Sequence, residues 1–321
     1  MTASANVAKA LKGMHRYSSY GLSIQSDIVL PELAADTSDH KMDAPVVVVR
    51  NARISLDETT RAQATAFAFD ETGATFWWQT VGRFHVSHDG CDVQVERAAG
   101  VSDDLIAFPL LGPVLSEVLR RNSMFVLHAS AALIDEQGVA FLADKGTGKS
   151  SSVAALLRAG ASLLADDLVA LTPGAGHIVP GFSQIKIAPE NLAHQLAGSD
   201  WVARPQVHDA IDKIRVLVPG AIVREKPPAR RMYLLERGTG DVARIVPLPG
   251  AQALPAVLRF AYAARFGEGA LRGADAGAHF RAAVDAANTI PVRRLILPGS
   301  LARLDGLAEV IRADLAQSEP R

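Results

Sequence analysis

Residues 138–167 read GVAFLADKGTGKSSSVAALLRAGASLLADD, and this stretch decides the fold class. Its centre, residues 143–150, is a glycine-rich loop ending in Gly-Lys-Ser, a form that wraps backbone N–H groups around nucleotide phosphates. The apolar run 138–142 is typical of a buried parallel strand, and residues 150–159 have the composition of a helix that stops at Gly160. This order predicts a P-loop in which the helix N-terminus also faces the anion.

Each position of the loop has an expected task. Lys149 is placed to reach the β- and γ-phosphates, and the Ser150 hydroxyl is placed to bind Mg²⁺. We expect nucleotide contacts from the loop and the residue after it, namely Asp144, Lys145, Gly146, Thr147, Gly148, Lys149, Ser150 and Ser151. Ala143 replaces the first glycine of the motif, which an alanine with negative φ can do. An ordinary strand–turn–helix is the alternative interpretation.

A pair of aspartates, Asp166 and Asp167, follows the apolar run Ser162–Ala165. We expect that run to be the next parallel strand of a right-handed βαβ unit, with its carboxyl end beside the loop. Neighbouring side chains of a strand point to opposite sides, so one carboxylate can face the phosphates, or both can if the strand ends there. Carboxylates bind Mg²⁺ and accept the proton of an attacking hydroxyl. A solvated Asp-Asp turn is the alternative.

The stretch 127–171, LHASAALIDEQGVAFLADKGTGKSSSVAALLRAGASLLADDLVAL, resembles the catalytic core of the HPr kinase/phosphorylase family. That family has a histidine ahead of a strand, the P-loop, a helix and Ala-Asp-Asp, which are matched here by His128, residues 143–150 and residues 165–167. The resemblance implies an ATP- and Mg²⁺-dependent kinase with His128 as its active-site histidine. It also implies that Lys149 holds phosphates, that Ser150 and an aspartate, assigned as Asp167, bind the metal, and that the Asp166–Asp167 pair supplies the general base.

Two features separate the chain from the bifunctional members of that family. Ser151 stands where they have an acidic residue, and the glycine-rich C-terminal signature that they use for phosphorolysis and for HPr is missing. The layout is more similar to short HPr-kinase-like proteins, which include kinases that tailor lasso peptides. The similar segments are 20–33 (YGLSIQSDIVLPEL), 179–182 (VPGF) with Lys186 after it, and 233–236 (YLLE).

Composition and charge favour a soluble enzyme of the cytoplasm. The 321 residues are 49% hydrophobic, enough for a sizeable core, and the net charge of −1 provides no field that would recruit nucleic acid or a membrane. The single Cys91 fits a reducing compartment, and the N-terminal residues have no apolar core like that of a signal peptide. The sequence leaves a homo-oligomer open.

The chain changes character near residue 100. Residues 1–100 contain short runs of β-type alternation and predict a small, mainly antiparallel β module, followed by a P-loop kinase-like domain over residues 101–321. Ser102 resembles the N-cap of a helix that Pro113 would kink. Residues 197–230 are rich in Pro, Gly and charge and predict a loop near the site. Within it Lys213, together with Lys186, is a candidate for substrate contact or a solvated surface cation.

The sequence therefore predicts an α/β fold with a P-loop core, a mixed sheet and flanking helices, preceded by a β module. The predicted activity is transfer of the γ-phosphate of ATP, with Mg²⁺, to a hydroxyl, favoured as a Ser of a peptide or small protein. One of Asp166 and Asp167 would take the hydroxyl proton while the other holds the metal. The alternatives are an NTPase with water as acceptor, a non-catalytic nucleotide sensor, and a β-module protein with a chance motif.

Overall fold

The computed structural model describes residues 13–36, 44–209, 211–220, 223–300 and 303–317. The chain divides into two compact units, Met1–Asn122 and Ser123–Arg321. This division groups the helical segment after Ser102 with the β-rich module, and the boundary near residue 100 stays a prediction. The first twelve residues, on which the prediction about a signal peptide depends, lie outside the described ranges. None of the described helices combines the length and apolar character needed to cross a bilayer.

The first unit is built on one sheet of mostly antiparallel strands. Its described strands are β1 (His15–Ser19), β2 (Leu22–Ser26), β3 (Val46–Asn51), β4 (Thr65–Asp70), β5 (Gly73–Trp78), β6 (Gly82–Ser87) and β7 (Asp92–Arg97). Their spatial order is β1-β2-β3-β7-β6-β5-β4, with parallel pairing only of β2 to β3 and β3 to β7 among these strands. The predicted β module, mainly antiparallel, is confirmed.

Helices of the first unit follow the sequence signals closely. A short helix, Glu58–Arg61, precedes β4, and a longer segment runs through Asp103–Pro109, a π-helical turn at Leu110–Val114, and Leu115–Arg121. The Ser102 hydroxyl accepts the Leu105 N–H at 3.3 Å, as expected of an N-cap. The π-helical turn contains Pro113, which has no N–H to donate to the helical ladder.

The second unit alternates strands and helices. Its described strands are β8 (Phe125–Leu127), β9 (Ala129–Ile134), β10 (Gln137–Leu142), β11 (Ser162–Ala165), β12 (Val169–Leu171), β13 (Ile178–Val179), β14 (Gln184–Ile187), β15 (Val202–Ala203), β16 (Ile214–Leu217), β17 (Ala229–Arg237), β18 (Arg244–Pro247) and β19 (Val292–Leu297). Its described helices are Lys149–Arg158, Pro189–Leu196, Gly250–Phe260, Gly273–Thr289 and Leu307–Leu315, with 3₁₀ turns at Pro173–Ala175, Tyr262–Phe266 and Glu268–Ala270.

The central sheet of this unit is mixed, in the order β11-β9-β10-β17-β19-β18. Strands β10, β17 and β19 are parallel neighbours, whereas β9 pairs antiparallel with both β10 and β11. Two smaller sheets, β13-β12-β8 and β14-β16-β15, complete the unit. The predicted fold class, an α/β core with a mixed sheet and flanking helices, is confirmed.

Strand β11 differs from the expected simple βαβ unit. It runs in the same direction as β10 but does not pair with it, because β9 lies between them. The reason is local. Asp135 and Glu136 both adopt positive φ, at 47° and 62°, and form a two-residue hairpin turn. This hairpin pairs β9 antiparallel with β10 and so occupies the edge of β10 with which β11 would otherwise pair. The carboxyl ends of β10 and β11 nevertheless share one edge of the sheet, which positions the candidate site.

A buried polar cluster ties the last described helix to the central sheet. Asp314, on Leu307–Leu315, accepts a hydrogen bond from the Tyr233 hydroxyl at 2.8 Å and pairs with Arg293 and, at 3.5 Å, with Arg231. Burial, followed by the negative charge of Asp314, raises the pKa of Tyr233. Asp314 and Arg231 are both buried, so the carboxylate and its donors depend on each other.

We expect Asp314→Asn to lower the free energy of unfolding by about 3 kcal/mol, because it leaves the buried guanidinium of Arg231 and the partly buried one of Arg293 without their counter-charge. Urea denaturation followed by circular dichroism measures this change. Glu309→Gln, an exposed position on the same helix, is the matched control and should change stability by no more than about 0.5 kcal/mol. Equal stability of both variants would contradict a structural role for the cluster.

Candidate active site

The glycine-rich loop connects β10 directly to the helix Lys149–Arg158, in the predicted order. Gly146 has φ of 83° and Gly148, the N-cap of the helix, has φ of 128°, a region that favours glycine. Ala143 is absent from the residues with positive φ, so the position that departs from the motif needs no glycine. Backbone geometry therefore allows the loop to enclose an anion at the helix N-terminus.

Lys149 lies inside the loop. Its ammonium donates to the Ala143 carbonyl oxygen at 2.5 Å, and the residue is 8% exposed. Burial and the neighbouring positive charge of Lys213 lower the pKa of Lys149. A phosphate group would offset both of these effects, because it brings negative charge to the ammonium.

Other predicted loop residues form the outer side of the loop. Asp144 pairs with Arg259 at 2.6 Å, and Lys145 pairs with Asp212 at 2.8 Å, with all four side chains largely exposed. The Gly146 carbonyl accepts a hydrogen bond from Arg237 at 2.8 Å.

The two remaining positions lie beside these pairs. The Thr147 N–H donates to the Asp144 carbonyl at 3.3 Å, and Ser151 is half-buried on the first turn of the helix. The outer loop is thus held by polar contacts to three distant parts of the chain.

Asp166 joins the loop helix to two other elements. Its carboxylate accepts the Ser150 hydroxyl at 3.0 Å and 3.1 Å, the Ser130 hydroxyl at 2.5 Å and the Lys186 backbone N–H at 2.7 Å. The residue is 7% exposed. The three donors hold the carboxylate in place, so that its oxygens lie beside the hydroxyl oxygen of Ser150. Such a pair fits Mg²⁺, whose remaining ligands would be water and phosphate oxygens.

Asp167 stays at the site because the strand has already ended. Its φ of 73° turns the chain after Ala165, and its carboxylate accepts Lys186 Nζ at 2.8 Å. Burial acts to raise the pKa of Asp167, but the charge and hydrogen bond of Lys186 and the other positive charges nearby together outweigh burial and hold this pKa well below the ordinary range. The carboxylate is therefore ionised at neutral pH. The assignment of Asp167 to the metal stays a prediction, since Ser150 contacts Asp166.

His128 follows β8 and lies beside Asp167. Its Nδ1 is 3.1 Å from the Asp167 carbonyl oxygen and 3.3 Å from Oδ1, so these acceptors assign the proton to Nδ1. Burial lowers the pKa of His128 to about 4, against a partial increase from Asp167. The ring is thus neutral at pH 7, with Nε2 free of a proton. The ring makes a T-shaped contact with Tyr262, with ring centroids 5.9 Å apart and an interplanar angle of 82°.

The two predicted substrate residues lie near the aspartates. Lys186, on β14, makes both a backbone and a side-chain contact with the Asp166–Asp167 pair. Lys213 precedes β16, the neighbour of β14, and its positive charge contributes to the lowered pKa of both Lys149 and Asp167. The fold therefore brings His128, the P-loop, the aspartates and both lysines to one place, while their roles stay predictions.

Several residues around the candidate site were not predicted from the sequence. Ser130 stands two residues after His128 and carried a usable signal, since it is the one hydroxyl residue in the otherwise apolar strand Ala129–Ile134. Tyr262 and Arg265 are more than 130 residues further along and belong to no motif. Their position depends on the bridge between Leu127 and Ala261, which local sequence patterns do not specify.

Acidification tests the state of His128. The folded histidine takes up a proton only near its pKa of about 4, whereas the pKa of an ordinary, exposed histidine is 6.5, so lowering the pH from 6.5 to 4 should reduce stability through this group. We expect the ring signals of His128, identified in carbon-13 NMR by their loss in His128→Gln, to titrate near this low pH. Asp167→Asn should shift the midpoint further down, because it removes a charge that favours the imidazolium. A midpoint at or above pH 6, or an upward shift in Asp167→Asn, would contradict this description.

Comparisons with known proteins give little beyond this geometry. No protein-family model matches the sequence, and no curated protein matches it. Among solved structures, an HPr(Ser) kinase/phosphatase from Coxiella burnetii is matched over 59% of this chain and 95% of that chain, at 15% identity and a TM-score of 0.28. A similarity of this size supports no functional conclusion, so function is inferred from the site.

Proposed function

We propose that this protein is an ATP- and Mg²⁺-dependent kinase that transfers the γ-phosphate to a hydroxyl group. The observation that carries the proposal is the contact of Ser150 with Asp166, at 3.0 Å and 3.1 Å, at the start of the helix that follows the glycine-rich loop. A hydroxyl and a carboxylate meeting at that position form the metal-binding half of a P-loop site. The second carboxylate, Asp167, is then available for the acceptor.

The nucleotide would bind through the loop and Lys149. Backbone N–H groups of residues 144–149 and the helix N-terminus would bind the phosphates, and the Lys149 ammonium would offset charge on the β- and γ-oxygens. Ser150 and Asp166 would hold Mg²⁺, which supplies neutralisation of phosphate charge when bound. In this proposal Asp166 replaces Asp167 as the metal-binding aspartate, because its carboxylate contacts the Ser150 hydroxyl.

Asp167 would orient the acceptor hydroxyl and take its proton. As the oxygen–phosphorus bond to the acceptor forms, the bond between the γ-phosphorus and the ADP oxygen breaks, and the hydroxyl proton passes to the carboxylate. The loose transition state of phosphoryl transfer depends more on orientation than on a strong base, so a carboxylate of low pKa is suitable. Lys186 and His128 hold this carboxylate from two sides.

The acceptor that we favour is a Ser of a peptide or small protein, in a reducing, ATP-rich compartment such as the cytoplasm. The support is the resemblance of residues 127–171 and of the shorter segments to HPr-kinase-like proteins that include peptide-tailoring kinases. The single cysteine agrees with a reducing compartment. The net charge of −1 argues against nucleic acid as a partner.

Separate substitution of the two aspartates tests the division of labour. Asp166→Asn should abolish the Mg²⁺-dependent part of ATP affinity, whereas Asp167→Asn should retain ATP binding and lose phosphoryl transfer by about 100-fold or more. Calorimetry with ATP, with and without Mg²⁺, and mass spectrometry of candidate peptides are the measurements. Lys149→Ala is the reference for lost nucleotide binding, and Asp200→Asn, at an exposed position, is the matched control.

Four results would contradict this proposal or a part of it. Wild-type ATP affinity and turnover in Lys149→Ala would remove the P-loop assignment. Full transfer by Asp167→Asn would remove the proposed base. ATP hydrolysis without any phosphorylated acceptor across a broad peptide panel would favour the NTPase, and ATP binding without turnover would favour a nucleotide sensor.

HPr itself should be a poor acceptor for this protein. Ser151 occupies the position of an acidic residue in the bifunctional HPr enzymes, and the C-terminal signature that they use for HPr is missing from the sequence. Incubation of the full chain with ATP, Mg²⁺ and either HPr or peptides encoded nearby, followed by mass spectrometry, compares the acceptors. Phosphorylation of HPr faster than that of every peptide would refute the proposed substrate class.

A further inference from the structure

A short turn outside every recognised motif is fixed against the site. The 3₁₀ turn Tyr262–Phe266 begins after Ala261, which forms an antiparallel bridge with Leu127, and the Phe260 carbonyl accepts the His128 N–H at 2.7 Å. These two backbone contacts hold the start of the turn beside the histidine that contacts Asp167. The turn is thus a part of the site wall and not a peripheral loop.

Arg265 is the charged residue that this turn contributes. Its guanidinium carbon lies 5.5 Å from the centre of the Tyr262 ring, and the centre of the His128 ring is 5.9 Å from that same ring. Tyr262 is 4% exposed, and burial raises the pKa of its phenol, so the ring remains neutral under the cation. Arg265 itself is exposed, and no acidic side chain among the described residues forms an ion pair with it.

The charge balance of the site favours an anion next to Arg265. The positive charge of Arg265 contributes to the lowered pKa of both Lys149 and His128, so this charge acts on the interior of the site. Lys186 and Lys213 add further positive charge beside Asp167. A dianionic phosphate group would offset this excess of cations.

We infer that Arg265 binds the terminal phosphate of the nucleotide and stabilises the charge on the phosphoryl group during transfer. This inference rests on the proposed function. A guanidinium offers two parallel N–H donors to phosphate oxygens, which an ammonium cannot do, and it forms no covalent bond and transfers no proton in this role. Stacking on Tyr262 would hold the guanidinium in place before the nucleotide binds.

Comparison of ATP and ADP affinity isolates this role. Arg265→Met should weaken binding of the imido analogue of ATP by about 10-fold while it changes the affinity for ADP by less than about 2-fold, because ADP has no γ-phosphate. Where an acceptor peptide is phosphorylated, kcat should fall by about 100-fold or more, with a smaller effect on the KM of the peptide. Arg265→Lys should restore part of the affinity for the ATP analogue but little of kcat, since lysine keeps the positive charge but lacks the two parallel N–H donors of the guanidinium.

Arg272→Met is the matched control, because Arg272 is exposed on the same stretch of chain and shows no contact with the described site. It should change neither affinity nor rate. The inference would be overturned if Arg265→Met weakened the binding of ADP and of the ATP analogue equally, or if it left affinity and kcat unchanged. A larger effect on the KM of the peptide than on kcat would also overturn it, because Arg265 would then bind the acceptor peptide and not the nucleotide.

The inference and the proposed function fail in different ways. ATP binding by the wild type without any phosphorylated acceptor would contradict the kinase, yet the comparison of the ATP analogue with ADP in Arg265→Met would still decide the role of Arg265. Failure of the wild type to bind either nucleotide would overturn both.

Discussion

The site depends on one carboxylate that accepts hydrogen bonds from three separate elements. Asp166 receives the Ser150 hydroxyl from the P-loop helix, the Ser130 hydroxyl from β9 and a backbone N–H from β14. The carboxylate is buried, so removing a donor would leave oxygen atoms with neither water nor a partner. This requirement keeps the loop, the central sheet and the small sheet that carries Lys186 in one arrangement, on which the proposed chemistry depends.

Adjacent aspartates acquire different environments because the backbone turns between them. Asp166 continues the direction of β11, whereas the left-handed φ of Asp167 places its carboxylate between Lys186 and His128. Without that turn, neighbouring side chains of a strand would point to opposite faces. The turn therefore lets two carboxylates serve one site with distinct partners, one among neutral donors and the other beside a cation. This asymmetry is the physical basis for assigning them separate tasks.

Local features of this chain could be predicted from its sequence, and distant ones could not. The P-loop, the strand end at Ala165 and the N-cap at Ser102 depend on residues within a few positions of each other, and the structure has them as expected. The intervening β9 was missed because a direct βαβ unit was assumed, although the Asp135-Glu136 hairpin is local. Arg265 could not be found, since its place results from strand pairing over more than a hundred residues.

Salt should act unequally on the two sides of the P-loop. The pairs Asp144–Arg259 and Lys145–Asp212 are largely exposed, so mobile ions at physiological strength, with a screening length of about 8 Å, weaken them. In the inner contact of Ser150 with Asp166 the carboxylate is buried and the donor is a neutral hydroxyl, so salt screens this contact far less. Rising ionic strength would therefore weaken the two exposed pairs on the outer side of the loop and leave the contact of Ser150 with Asp166 intact. Under the proposed function, nucleotide entry and release past these exposed pairs would respond to the ionic medium more than the geometry around the reacting phosphate.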